Sequence, residues 1–181
     1  MSEHALRGAS WVWCNSDLDR VNQYGLFRRR IVLPGPPGRV LVHACADLRY
    51  WLYVNGRRVG FGPPRFDPRT PLYDTHDVTA LVATGENVVA FKVHAIGPVA
   101  RCSSFMPTRP GLIAAVVWDS GRVVTDAAWS AREETAYRGD TPRFANHQSF
   151  IECFDARKAV RGWERRDLDD ADWPRAYVLP P

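Results

Sequence analysis

The sequence predicts an all-β sandwich, and three observations predict it. Many short runs of β-branched and aromatic residues are separated by Gly, Pro, Asn and Asp. No long segment repeats apolar residues at helical spacing; residues 80–83 allow one helical turn at most. Asn55-Gly56 stands between two strand-like runs, and its residue types supply the positive φ angles of a type I′ hairpin turn.

The strands follow in order. Residues 25–33 read as a strand that Pro34-Gly-Pro-Pro-Gly38 breaks. In residues 39–46, Val40, Val42 and Ala44 share one face, and Leu41, His43 and Cys45 share the other. Residues 49–54 lead into the Asn55-Gly56 turn, and residues 57–61 return antiparallel. Residues 62–71 form a loop, because Pro63, Pro64, Pro68 and Pro71 cannot donate to a ladder. Residues 88–95 place Val89, Phe91 and Val93 on one face. The apolar run 112–118 turns at Asp119-Ser-Gly121 into 123–125, and 127–132 and 150–154 are shorter candidates. The polar tail from 161 to 174 carries Trp163 and Trp173 and reads as an ordered strap pinned by those indoles. Burying each indole contributes about 3 kcal/mol.

Length and composition bound the function. At 181 residues and 45% hydrophobic, the chain suits one domain with a sizeable core, burying roughly 70% of its unfolded surface. No run approaches the roughly 20 apolar residues that span a bilayer, so no membrane partner is expected. The N-terminus lacks a basic-then-apolar leader, which makes a cytoplasmic location the expectation. Cys14, Cys45, Cys102 and Cys153 form no C-x-x-C pair and read as reduced, mostly buried thiols. The net charge of +4 is mild. Strand alternation splits the one basic triplet, Arg28-Arg29-Arg30, between two faces, so no nucleic-acid partner is expected.

Candidate chemistry is sparse. Glycoside hydrolysis needs two facing carboxylates. Glu133 and Glu134 are strand neighbours that point apart, and Asp169 and Asp170 lie in the tail. No catalytic residue is assigned. Asp74, His76 and Asp77 form an oxygen-rich cluster that could chelate calcium or hold sugar hydroxyls. The competing structural role is a turn, with Asp77 and Thr79 bonding nearby amides. No other cofactor or metal is implied. Asn55 reads as a turn residue, and His43 and His94 as partly buried strand residues. Gly60-Phe-Gly62 is no dinucleotide fingerprint, because Arg65 occupies the third glycine position and no helix follows. Trp51 and Tyr53 share the face opposite Leu52 and Val54. Trp51, Arg65, Asp74 and Asp77 are therefore the candidate border of a shallow surface that contacts sugar or a neighbouring module. Packing of Trp51 beneath the proline-rich loop is the structural alternative.

Several phrases in order resemble one family. They are Trp11-Val-Trp13-Cys14, Asn22-Gln-Tyr24, Leu26-Phe-Arg-Arg29 and the segment 50–60. Tyr73-Asp-Thr-His-Asp-Val-Thr79, Gly85-Glu-Asn-Val-Val-Ala-Phe-Lys-Val-His94 and Thr125-Asp126 with Trp129 follow. Phe154-Asp-Ala-Arg157, Gly162-Trp163 and Asp169-Asp-Ala-Asp-Trp173 complete the set. Together they resemble the start of bacterial α-L-rhamnosidases. The resemblance implies an antiparallel jelly-roll β-sandwich, galactose-binding-domain-like, over residues 1–160. It implies an Asp- and Trp-containing connector at 161–181 toward a downstream module. It also implies that the catalytic carboxylates of the whole enzyme lie on a separate (α/α)6 barrel. The expected role is a non-catalytic accessory domain that positions that barrel or contacts sugar. The expected partners are the downstream catalytic domain of the same polypeptide and rhamnose-containing glycans. A free-standing carbohydrate-binding module and a purely structural docking domain remain as alternatives.

Overall fold

The computed structural model describes residues 5–98, 108–145 and 148–180. Cys102 lies outside them. Eleven strands and one short 3-10 turn make up the regular structure of the described residues. Strands β1 (Val12–Trp13), β3 (Leu41–Asp47), β6 (Asp74–Asp77), β8 (Gly111–Trp118), β9 (Gly121–Val124) and β11 (Tyr177–Val178) form a six-stranded antiparallel sheet. Its order is β11-β1-β8-β3-β6. Strand β3 covers one edge of β8, and β1 and β9 divide the other. Strands β2 (Gln23–Leu33), β4 (Arg49–Val54), β5 (Arg57–Gly62), β7 (Gly85–Ala95) and β10 (Ser130–Glu133) form the second antiparallel sheet, ordered β10-β2-β7-β4-β5.

Alternation explains why the two sheets face each other. Val42, Ala44, Ala46, Leu112, Ala114 and Val116 point inward from the first sheet. Phe27, Ile31, Leu52, Val54, Val89, Phe91 and Val93 meet them from the second. Trp129 is fully buried at one end, where its indole N–H donates to the Val124 carbonyl at 2.8 Å. Sheets stacked in this way enclose a core about 10 Å thick.

The hairpin from β4 to β5 turns where the sequence requires it. Asn55 has φ 50° and Gly56 φ 83°, the left-handed pair of a type I′ turn. The single 3-10 turn spans Thr79–Leu81.

Residues 74–77 form edge strand β6 with all four residues paired to β3, and the turn expected of Asp77 and Thr79 follows it, the Asp77 carboxylate accepting the Thr79 amide. The strand is short and polar because it sits at a sheet margin, where apolar alternation is not required. Two elements differ from the sequence expectation. Residues 150–154, expected as a strand, make only isolated bridges at Phe150 and Phe154. The tail from 161, expected as a connector, also contributes a strand, since Tyr177–Val178 adds β11 to the edge of β1.

The strap packs on the sandwich through its indoles. It crosses the outer face of the five-stranded sheet, where Trp163 meets Tyr53 edge to face at 5.1 Å. Arg28 fixes it. This guanidinium is 0% exposed, and it donates to the carbonyls of Trp163 (2.5 Å), Arg165 (3.0 Å) and Leu168 (3.3 Å) and to the Asp170 carboxylate (3.0 Å). Trp173 lies beneath both Arg28 and Arg132. No helix among the described residues is long and apolar enough to cross a membrane.

Candidate functional site

Strand β6 brings Asp74, His76 and Asp77 to the margin where the two sheets approach. Tyr50, on β4 of the other sheet, reaches across the gap. Its hydroxyl donates to Asp74 Oδ2 at 2.7 Å and lies 2.8 Å from His76 Nε2. With the phenol hydrogen committed to Asp74, the imidazole carries its own hydrogen on Nε2 and donates it to Tyr50 Oη. Burial, and next the hydrogen bond to Asp74, push the Tyr50 hydroxyl far above its ordinary pKa. Burial lowers the His76 pKa. These groups approach closely because Gly60 and Gly62 line β5: a Cβ on Gly62 would stand 1.9 Å from Asp74 Oδ2.

The four residues singled out by sequence divide between different surroundings. Asp74 is bonded between the sheets. Asp77 accepts from the Thr79 amide at 3.1 Å and hydroxyl at 2.6 Å, and from Arg39 at 3.2 Å. Those bonds, Thr79's first, hold its carboxyl below the usual range. Arg65 is exposed in the loop before β6. Trp51 points away from Tyr50, onto the outer face of the five-stranded sheet, where it packs on Phe61 at 5.7 Å. The Lys92 ammonium lies over its ring at 4.5 Å. Asp74 and Asp77 thus share one strand, with Arg65 on the loop that feeds it, and Trp51 belongs to another surface. Among the described residues, no three His, Cys, Asp or Glu side chains gather as a metal centre requires.

The surface around Trp51 is a polar-aromatic seam on the outer face of the five-stranded sheet. Lys92 donates to the Tyr137 hydroxyl at 2.8 Å. Tyr137 stacks on Tyr24 at 3.9 Å, and Tyr24 stacks on His94 at 4.1 Å. His94 donates from Nε2 to Asn22 Oδ1 at 2.9 Å. Burial, aided by the charges of Arg49 and Lys92, pulls the imidazole down to about 3. Burial likewise lowers Lys92 and lifts the Tyr137 hydroxyl to about 12.

The acidic neighbours weighed for hydrolysis are engaged elsewhere. Glu133 pairs with Arg20 at 2.6 Å, and Glu134 accepts the Ala136 amide at 3.0 Å. Asp169 caps the Ala171 amide at 3.0 Å, while Asp170 bridges Arg28 and Arg30. Burial by itself would lift the Asp170 carboxyl. The charge of Arg28 overrides that and leaves it below its ordinary value.

Sequence reasoning missed three residues. Arg28 reads as one member of a basic triplet, and nothing local marks it as the one buried beneath a strap some 140 residues later. Tyr50 reads as an aromatic strand residue, and its hydroxyl's partners arise only where the sheets meet. Asn55 reads as a turn former alone. Its side chain also donates to the Leu81 carbonyl (2.8 Å) and Asn87 Oδ1 (2.9 Å), and accepts from the Val88 amide (2.9 Å).

Comparison with known proteins gives this geometry its context. Residues 36–181 match the model of the α-L-rhamnosidase N-terminal domain. An α-L-rhamnosidase of Streptomyces avermitilis is 30% identical over 148 residues, covering 75% of this chain and 14% of that protein. The solved rhamnosidase of family GH78 from Bacillus sp. GL1 superposes with a TM-score of 0.90 at 33% identity, over 96% of this chain and 18% of that one. A lectin from Pleurotus ostreatus, solved with GalNAc, shares the fold at a TM-score of 0.60 and 18% identity, over 98% of this chain and 45% of its own. The chain therefore spans about a fifth or less of the length of the rhamnosidases that it matches. A two-sheet antiparallel sandwich and a family match over most of its length lead to one conclusion: the chain belongs to the α-L-rhamnosidase N-terminal domain family, whose members are accessory domains of those hydrolases.

Proposed function

We propose that this domain is a rigid, non-catalytic mount for the catalytic module of an α-L-rhamnosidase-like hydrolase carried on the same polypeptide. The Arg28 lock carries this reading. One fully buried guanidinium takes three strap carbonyls and the Asp170 carboxylate. Buried, hydrogen-bonded charge of this kind specifies one arrangement rather than many. Chain that follows the strap would leave from a defined place and direction. The engaged carboxylates around it support a domain without hydrolytic chemistry of its own, and the family's larger relatives support a catalytic module beyond it.

The test uses the polypeptide encoded by the complete reading frame that contains this chain. It is expected to release p-nitrophenol from p-nitrophenyl α-L-rhamnopyranoside. Arg28→Ala in that protein is expected to reduce the heat stability of the activity with little change in KM. A reading frame without a further module, or a longer protein inactive on this substrate, overturns the proposal.

A further inference from the structure

Strand β10 pairs with β2 only as far as Arg28, which lies opposite Ser130. Past that point β2 has an open flank on the β10 side among the described residues. Arg28 and Arg30 hold the strap from one face of β2. Arg29 takes the opposite face by alternation. Its guanidinium reaches that flank, where Nη1 donates to the Ala128 carbonyl at 2.5 Å. Arg175 approaches the same oxygen from the far edge of β10. A bridge sets its backbone opposite Ser130, and its Nη1 donates to the Ala128 carbonyl at 3.2 Å.

Two guanidiniums therefore converge on one neutral oxygen, and neither forms an ion pair among the described residues. Their charges repel, and a carbonyl dipole offsets only part of that repulsion. The Nε of Arg29 is buried and has no acceptor among the described residues. A buried donor left unpaired is costly and calls for a partner. Elsewhere in the chain, Arg69 and Arg157 each grip a carboxylate with Nε and Nη2 together. On Arg29 the Nη1 is spent on Ala128, and the Nε half of that fork is open.

The two arginines border a cleft of about 360 Å³, whose lining holds four guanidiniums against two carboxylates. Arg28 and Arg30 are matched by Asp170 and Glu86. Arg29 and Arg175 are left facing Asp169, which already caps the Ala171 amide. The cleft thus keeps an excess of positive charge and an unused planar donor. Guanidinium forks fit the paired oxygens of carboxylate and phosphate groups. The volume lies above the roughly 300 Å³ at which small-molecule sites begin, so the anionic group can carry a small organic remainder.

We propose that this cleft binds an oxyanion, a phosphate or carboxylate group clamped between Arg29 and Arg175. Arg29 belongs to β2 and Arg175 to the end of the tail, so the bound group would fasten the tail to the five-stranded sheet. The site stands apart from the hydrolase reading above.

The experiment titrates the 181-residue chain with inorganic phosphate and, separately, with citrate, sodium chloride holding the ionic strength constant. The Arg29 Nε–H and the Ala171 amide are followed by NMR. Both signals are expected to shift saturably. Arg29→Gln and Arg175→Gln are each expected to weaken binding by about tenfold, read from the Ala171 amide. Arg122→Gln removes the same charge from β9 of the other sheet and is expected to leave binding unchanged. Melting curves verify that each variant is folded. Arg175 is exposed, so its variant decides alone should Arg29→Gln unfold. Absence of a saturable shift through about 50 mM of both ions, far above the ~1 mM constant of a weak specific site, overturns the proposal. So does binding that either folded cleft variant leaves intact, or that Arg122→Gln weakens equally, since diffuse charge then explains it. Saturation by phosphate alone assigns a phosphoryl ligand and by citrate alone a carboxylate, each upholding the site. Release of p-nitrophenol by the longer polypeptide is a separate readout, so the two proposals can fail independently.

Discussion

Arg28 and Asp170 meet at 3.0 Å although 142 positions separate them in the chain. The contact joins an inner strand of the five-stranded sheet to the last part of the strap. Arg28→Ala would leave Asp170 and three carbonyls without their shared donor. Losing one partner of a buried charged pair costs about 3–5 kcal/mol. Urea denaturation should show that loss in Arg28→Ala. Arg28→Lys should restore little of it, because one ammonium cannot reproduce the planar fork.

Asn55 separates a turn role from a hydrogen-bonding role. Its φ of 50° suits glycine equally well. Were geometry the whole story, Asn55→Gly would be nearly neutral. Its three side-chain bonds to the Leu81, Asn87 and Val88 groups predict a loss of about 1–3 kcal/mol instead. Equilibrium unfolding of that single variant distinguishes the two.

Tyr50→Phe removes one oxygen and strands two groups. Asp74 and His76 both lose their bond to the phenol. A destabilisation of about 1–3 kcal/mol is expected at neutral pH. Asp74→Asn combined with Tyr50→Phe should cost less than the sum of the single changes, because the pair acts as one unit.

His94 and Asp47 give opposite pH dependences. The folded His94 pKa of about 3 lies below its ordinary 6.5. The unfolded chain therefore binds more protons between those values, and stability falls as pH drops through that window. His94→Gln should flatten this acid limb of a melting-temperature profile. The folded Asp47 pKa of about 8 lies above its ordinary 3.8. Here the folded chain binds the extra proton, so its contribution is full below about pH 4 and disappears as pH rises through about 8. Asp47→Asn should match the parent near pH 4 and melt higher above about pH 8.

Much of the sandwich was legible because burial imposes period-two alternation on β2, β3, β4, β7 and β8, and because Asn55-Gly56 has few other uses. The tail was legible through Trp163 and Trp173, which need cover. Strand β6 carries no apolar alternation, since Asp74 to Asp77 lie at a sheet edge where polar residues are tolerated. The candidate surface was legible only in part. Alternation put Trp51 and Tyr53 outside, but nothing in sequence spacing tells which sheet lies beside which loop. Asp74 therefore meets Tyr50 rather than Trp51. Arg28 and Asp47 were hidden for the same reason: their burial comes from chain that returns from far away.

The most direct measurement is of hydrolysis by the purified 181-residue chain. Incubated with p-nitrophenyl α-L-rhamnopyranoside, it should fold and melt cooperatively and release no p-nitrophenol above the buffer rate. Turnover that disappears on replacing one of its own carboxylates, such as Asp74 or Glu134, would contradict a non-catalytic domain.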